Sequence, residues 1–296
     1  VMDGIMGRLG LSGRAFIPMI LGFGCTVPAL MASRVLESRK DRYRVMLITP
    51  FMSCSARLPI YILFSEMFFG RYAMLAAYSM YVIGLGVAIL VAFLLHKKDQ
   101  GTEENTLLIE LPEYKAPSSR TVAIYVWEKV KDFLTKAGTT IFLASIVMWF
   151  LLNIGPGGLA DTMEGSFGAM LGKFVTPFFV PLGLGYWQIA MALIAGISAK
   201  EVVVTSCAVL FGISNINSAA GMGSLTELLG GMGFGALNAF SLMVFSLFYI
   251  PCAATLVTIK KEMGGWKWAG KAAIFQLAVA WVVAFLVFQI GSLILG

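Results

Sequence analysis

Read for alternation of apolar and charged positions, the chain divides into long uncharged runs separated by short charged clusters. The runs are 15–33, 72–95, 137–160, 174–199, 202–226, 228–259 and 272–296. A spanning helix needs about 20 predominantly apolar residues, and most of these runs are long enough. The pattern predicts spans at about 15–33, 45–69, 72–95, 137–154, 174–211 (interrupted), 239–259 and 272–295. Residues 1–14 set Ile5, Met6, Leu9 and Leu11 among Asp3, Arg8 and Arg14, an interfacial pattern. Residues 120–136 place Val122, Ile124, Val126, Val130, Phe133 and Leu134 among Glu128, Lys129, Lys131, Asp132 and Lys136. That reads as a surface-lying or linking helix. The glycine-rich stretches 155–173 and 212–238 read as connectors.

Composition agrees: 58% of the 296 residues are hydrophobic and 13% charged, against about 25% charged in soluble domains. Mean hydropathy is +0.84. The fold class expected is all-α, a polytopic helical membrane protein. The net charge of +6 is no nucleic-acid footprint, because the basic residues sit in short loops between spans. Residues 34–44 (RVLESRKDRYR) carry five basic and two acidic residues. They should share the cytoplasmic side with the basic region 97–136. The side of 260–271 stays open. The polar stretch 98–119 suggests a boundary, giving 1–97 as the remainder of a first repeat, 98–136 as loop and linker helix, and 137–296 as a second repeat. A chain opening at Val1 without a signal peptide reads as a piece of a longer polypeptide.

Two features bear on chemistry. The first is ionisable residues in or beside apolar runs: Arg57, Glu66, Lys200 and Glu201. A charge at membrane depth is costly unless paired or facing water, which makes each a candidate for function. Glu66 lies near a span end, where an interfacial carboxylate has no function to explain. Lys200-Glu201 reads either as a break lining a polar path or as a loop tip. The second feature is breakers inside apolar runs. GFGCTVPALMAS (22–33) and PFMSCSARLPIY (50–61) each set a cysteine beside Ser or Thr with prolines nearby. The other half offers GISAKEVVVTS (196–206) and FYIPCAATLVTI (248–259). Aligning Cys54 on Cys252 also pairs Ala56 with Ala254 and Leu58 with Leu256. The order suggests the repeat architecture of secondary transporters, with broken helices meeting near the midplane.

Only one histidine, His96, is present, and it stands at a span end. A metal site at depth must therefore draw on Cys25, Cys54, Cys252, Glu201, hydroxyls such as Ser53, Ser55 and Ser198, and freed carbonyls. Such sulfur-containing sites suit Fe(II), Zn(II) or Cu(I) better than Mg or Ca. Arg57, three residues after Cys54, is placed to favour that cysteine's thiolate by charge, and Lys200 or Arg57 to tune charge or rearrange for release. Cys207 reads as a small apolar filler. GWKWAGKA (265–272) fits G-x-x-x-x-G-K but ends in alanine and lacks the magnesium-binding hydroxyl, so no nucleotide site is expected here.

At GFGCTVPALMASR, PFMSCSARLPIYI, GISAKEVVV and FYIPCAATL the sequence resembles the later membrane part of the FeoB family of bacterial ferrous-iron transporters. The resemblance extends through WEKVKDFLTKAGTTIFLAS (127–145) over essentially the whole chain. It implies two gate-type repeats, with Cys25 and Cys54 matching the first gate and Glu201 and Cys252 the second. It also implies Fe(II) as transported substrate, no permanently bound cofactor, and the bacterial inner membrane as the site of action. GTP and Mg would be bound only by a preceding cytoplasmic G domain outside this chain. Small cytoplasmic Feo proteins and further copies of the same chain are the implied partners. Two other readings stay open: a nucleoside-like or other organic-solute carrier, and a membrane anchor that docks a soluble GTPase domain.

Overall fold

A computed structural model describes residues 2–8, 10–36, 38–98, 118–155, 158–159, 165–213, 216 and 218–295. It is helical almost throughout. In chain order the helices are α1 (Met2–Arg8), α2 (Phe16–Gly24), α3 (Thr26–Ala32), α4 (Arg39–Ile48), α5 (Leu58–Phe69), α6 (Ala73–Lys98) and α7 (Ser119–Asn153). They continue with α8 (Phe167–Phe179), α9 (Trp187–Ala195), α10 (Val202–Leu210), α11 (Ala219–Gly231), α12 (Ala236–Phe248), α13 (Ala253–Met263) and α14 (Trp266–Leu295). The described strands are a two-residue antiparallel pair, Ile154–Gly155 with Gly158–Leu159. Among the described residues, three stretches are long and apolar enough to cross a membrane: Arg39–Lys97, Ala236–Met263 and Trp266–Ile294. The bent pair Phe167–Leu182 and Trp187–Ala195, folded by 103°, makes a fourth if counted as one span.

Several expected boundaries move. Residues 120–136 are no separate surface helix followed by a span from 137; α7 runs unbroken for 35 residues. Nothing in it is a strong breaker, since it contains no proline and glycine only at Gly138. The connector 155–173 gives way to α8, whose N-terminus is capped by Ser166 accepting from the Ala169 amide at 3.1 Å. The loop 212–238 contains α11, capped in the same way by Ser218 on the Gly221 amide at 3.0 Å. In both places a serine cap outweighs the glycines. The run 174–211 is interrupted twice, at 180–186 as well as at 196–201.

The first of these interruptions shows how a bend survives in lipid. Pro177 and Pro181 remove amide donors and turn the chain away. The exposed carbonyls are then met by side chains of two other helices. Trp281 and Gln289 of α14 donate to Phe178 and Pro181 at 3.1 and 3.3 Å. Ser241 and Asn238 of α12 donate to Leu182 and Gly183 at 2.8 and 2.6 Å. Without water at that depth, every freed carbonyl needs such a donor.

Basic loops gather at one end. Arg34 makes a two-pronged ion pair with Glu262, at 2.8 and 2.6 Å. Tyr43 packs edge-on against Trp268, with ring centroids 4.6 Å apart. Arg44 donates to the Gly10 carbonyl at 3.0 Å, and Gly10 in turn sits against the His96 ring. The segment 260–271, whose side the sequence left open, therefore shares a face with 34–44 and with the end of α6.

Candidate functional site

Four helix breaks carry the candidate residues, and they come together in two pairs. The first break is Cys25, whose extended backbone (φ −150°, ψ 131°) separates α2 from α3. The second is 52–54, between single 3-10 turns at Thr49–Phe51 and Ser55–Arg57. The third is the turn 196–201 between α9 and α10, and the fourth is 249–252, ahead of α13. Within each half, the residue directly after the aligned cysteine clasps the partner break. The Ser55 hydroxyl donates to the Gly24 carbonyl at 2.8 Å. Ala253, in the equivalent place, donates its amide to the Ile197 carbonyl, also at 2.8 Å.

The halves meet through aromatic rings just before each cysteine segment. Phe51 and Phe248, both fully buried, stand edge to face at 5.7 Å. Gly84 lets α6 pass close over this point, because a Cβ there would press on the Phe51 carbonyl at 2.9 Å.

Each half also buries a cation. Arg57, 2% exposed, donates one Nη to the carbonyls of Pro50 and Met52, both at 3.0 Å. It thus satisfies the second break and not a carboxylate. Lys200, 3% exposed, donates Nζ to the Ile250 carbonyl at 2.6 Å and lies 3.1 Å from the Tyr249 ring centroid. The lysine of the third break therefore closes the fourth.

Cys25, Cys54 and Cys252 are half-buried, whereas Cys207 is fully buried in the core. The first three each stand immediately before a helical turn, at the N-cap of α3, of the 3-10 turn Ser55–Arg57 and of α13. Among the described residues, no three of His, Cys, Asp and Glu stand together in a way that could hold a metal ion. The structure thus does not assemble Cys25, Cys54, Cys252 and Glu201 into one ligand set. Cys252 Sγ faces the Thr255 hydroxyl at 3.1 Å.

The remaining candidates scatter. Glu201 is exposed at the start of α10 and makes no ion pair with Lys200. Glu66 is exposed on α5, about two and a half turns beyond Arg57. It lines a cavity of about 610 Å³ with Ser65, Arg71, Tyr78 and Tyr81. Ser53 is buried and donates to the Tyr61 hydroxyl at 3.2 Å. Ser198 closes the end of α9 on the Ala195 carbonyl at 2.6 Å. Sequence reasoning missed Tyr249 and the Ile250 carbonyl. The signal available was an aromatic residue two positions before Pro251 in FYIPC.

Two clasped pairs of broken helices in a helical membrane bundle define a gate-type membrane domain. The chain matches the gate family, described as "Nucleoside recognition", over residues 1–68 and 134–266, and the "Ferrous iron transport protein B C terminus" family over 77–129. It is 43% identical over 293 residues to a protein named Fe(2+) transporter FeoB from Staphylococcus aureus, covering 99% of this chain and 43% of that one. A Methanocaldococcus jannaschii protein of the same name is 42% identical over 302 residues, covering 99% and 44%. A Porphyromonas gingivalis protein named Fe(2+) transport protein A/Fe(2+) transporter FeoB fusion protein is 37% identical over 334 residues, covering 99% and 40%. The chain belongs to the FeoB family, as part of its membrane region. It spans less than half the length of these relatives, and no solved structure matches it.

Proposed function

We propose that this chain is the permease part of a bacterial Fe(II) uptake transporter, carrying ferrous iron across the inner membrane. The observation that supports this most is the placement of Cys25, Cys54 and Cys252 as the residues immediately preceding helical turns in the clasped breaks. Broken helices supply free carbonyls and half-helix ends where a cation has to shed water. A thiol beside them favours a borderline metal over Mg or Ca. Since no three ligands are gathered in advance among the described residues, the sulfurs act as successive stations. Loose, sequential contact suits conduction, because a site that binds too well does not release. Glu201, exposed at the rim of the third break, is the carboxylate that attracts the cation.

The basic face carrying 34–44 and 260–271 is cytoplasmic in this reading. It presents the chain to a G domain that binds GTP and Mg, and to small Feo proteins of the kind the Porphyromonas fusion joins covalently. The breaks offer mainly Cys, Ser, freed carbonyls and one Glu, with no Asn or Gln for reading a nucleoside. The test is anaerobic Fe(II) entry into proteoliposomes of the full-length protein, read by an internal chelating dye. Protein-dependent entry of Fe(II), with no entry of labelled nucleoside, is expected. Nucleoside flux without iron flux would establish the organic-solute carrier, and no flux of either would establish the anchor.

A further inference from the structure

Lys200 is buried in the bundle, just beyond the bent pair of helices, and has no carboxylate within ion-pair distance among the described residues; its neighbour Glu201 is exposed. An ammonium so placed is costly, and packing alone does not explain it. Its partners are the Ile250 carbonyl at 2.6 Å and the face of Tyr249 at 3.1 Å. A carbonyl freed by a helix break and an aromatic face are groups that hold a cation weakly and reversibly. Cys252 lies two residues beyond Ile250, in the same break whose carbonyl Lys200 holds.

We propose that Lys200 is a tethered cation that fills the place beside Cys252 in the closed second-half gate and excludes small cations until it swings away. The Ile250 carbonyl is then held alternately by the lysine and by the passing ion. This rests on the reading of the breaks as a cation path. The anchorage is suited to release. One hydrogen bond and one ring hold a flexible four-carbon stem, whereas Arg57 is pinned by two carbonyls of its own segment. Polar atoms without partners adjoin the site: the Tyr249 hydroxyl and Arg57 Nε are buried and unbonded. Of these, the Tyr249 hydroxyl is able to accept from the ammonium when the lysine moves. Gly196 packs so tightly against the Tyr249 hydroxyl and Val203 that any side chain there would displace the ring.

The experiment uses the full-length protein with Cys25, Cys54 and Cys207 replaced by serine. Cys252 is modified with a trimethylammonium methanethiosulfonate and with a neutral reagent of similar size, in the absence of iron. Lys200→Met should raise the cationic-to-neutral rate ratio at least about tenfold, as removal of a poorly screened positive charge predicts. Lys200→Arg should leave the ratio within about twofold. Lys200→Gln, which keeps a donor for the Ile250 carbonyl, should behave like the Met variant and decides the matter if Lys200→Met does not fold. An unchanged ratio in the neutral variants overturns the proposal. Absence of Fe(II) uptake by the unmodified protein would overturn the transport reading and leave this ratio standing.

Discussion

Arg57 reaches back five and seven residues within its own segment, to the carbonyls of Met52 and Pro50. Lys200 reaches across 50 residues, from the third break to Ile250 in the fourth. The two halves thus close equivalent breaks with different cations and different spans of chain. A planar guanidinium holding two oxygens of one loop makes a rigid local turn. An ammonium holding one oxygen of another segment makes a joint between two elements. The same contrast holds in the clasps, where the Ser55 side chain serves the first half and the Ala253 backbone amide the second. On the proposal made above, the first half would be the fixed side of the bundle and the second the side that opens.

Substitutions that strike at this asymmetry should differ in size. Arg57→Met should be the most damaging, because two carbonyls lose their donor where water does not reach. A stability loss of about 3 kcal/mol is expected, read as thermal unfolding in detergent. Unchanged unfolding would show that the second break needs no internal cation. Next come Cys54→Ser and Cys252→Ser, each expected to lower Fe(II) uptake by about tenfold through loss of a soft ligand, with insertion intact. Cys207→Ser, in the packed core, serves as control and should stay within about twofold of the parent. Equal uptake by all of these variants would remove the thiols from the account.

Glu201→Gln should slow uptake several-fold while leaving the protein in the membrane, because it removes attraction for the cation and little else. Wild-type uptake would reduce Glu201 to a loop-tip carboxylate. Trp281→Phe keeps the aromatic ring but loses the hydrogen bond to the Phe178 carbonyl, at a cost of about 1 kcal/mol in the same unfolding assay. An effect no larger belongs to Glu262→Gln. Its partner Arg34 is half exposed while the Glu262 side chain is 6% exposed, so the two-pronged pair contributes about 1 kcal/mol. A larger loss there would mean that the basic face is drier than its surface position suggests.

The apolar runs and their breakers were enough to announce a helical membrane protein and all four interruptions at Cys25, Cys54, Lys200 and Cys252. Periodicity and proline chemistry are local, and local rules are written in the chain. Helix limits near glycines were less legible. Ser166 and Ser218 start helices in stretches whose glycines suggested loops, since one side-chain cap is hard to weigh against several weak breakers. Pro177 and Pro181, which make the bend at 180–186, stood in the chain and were passed over; what the chain does not display is how the bend is satisfied. Its carbonyls are satisfied from α12 and α14, by residues roughly 60 to 110 positions away.

Pairing was beyond the sequence altogether. Residue types marked Arg57 and Lys200 as unusual at depth, but whether each faced a carboxylate, a thiol or a carbonyl depends on which segments fold against each other. The same holds for 260–271, which the Arg34–Glu262 contact places on the face of 34–44. Charge spacing along the chain states that a cation is present. Only the packed bundle decides what it holds, because at low dielectric a charge must bind whatever polar atom the tertiary fold brings within about 3 Å.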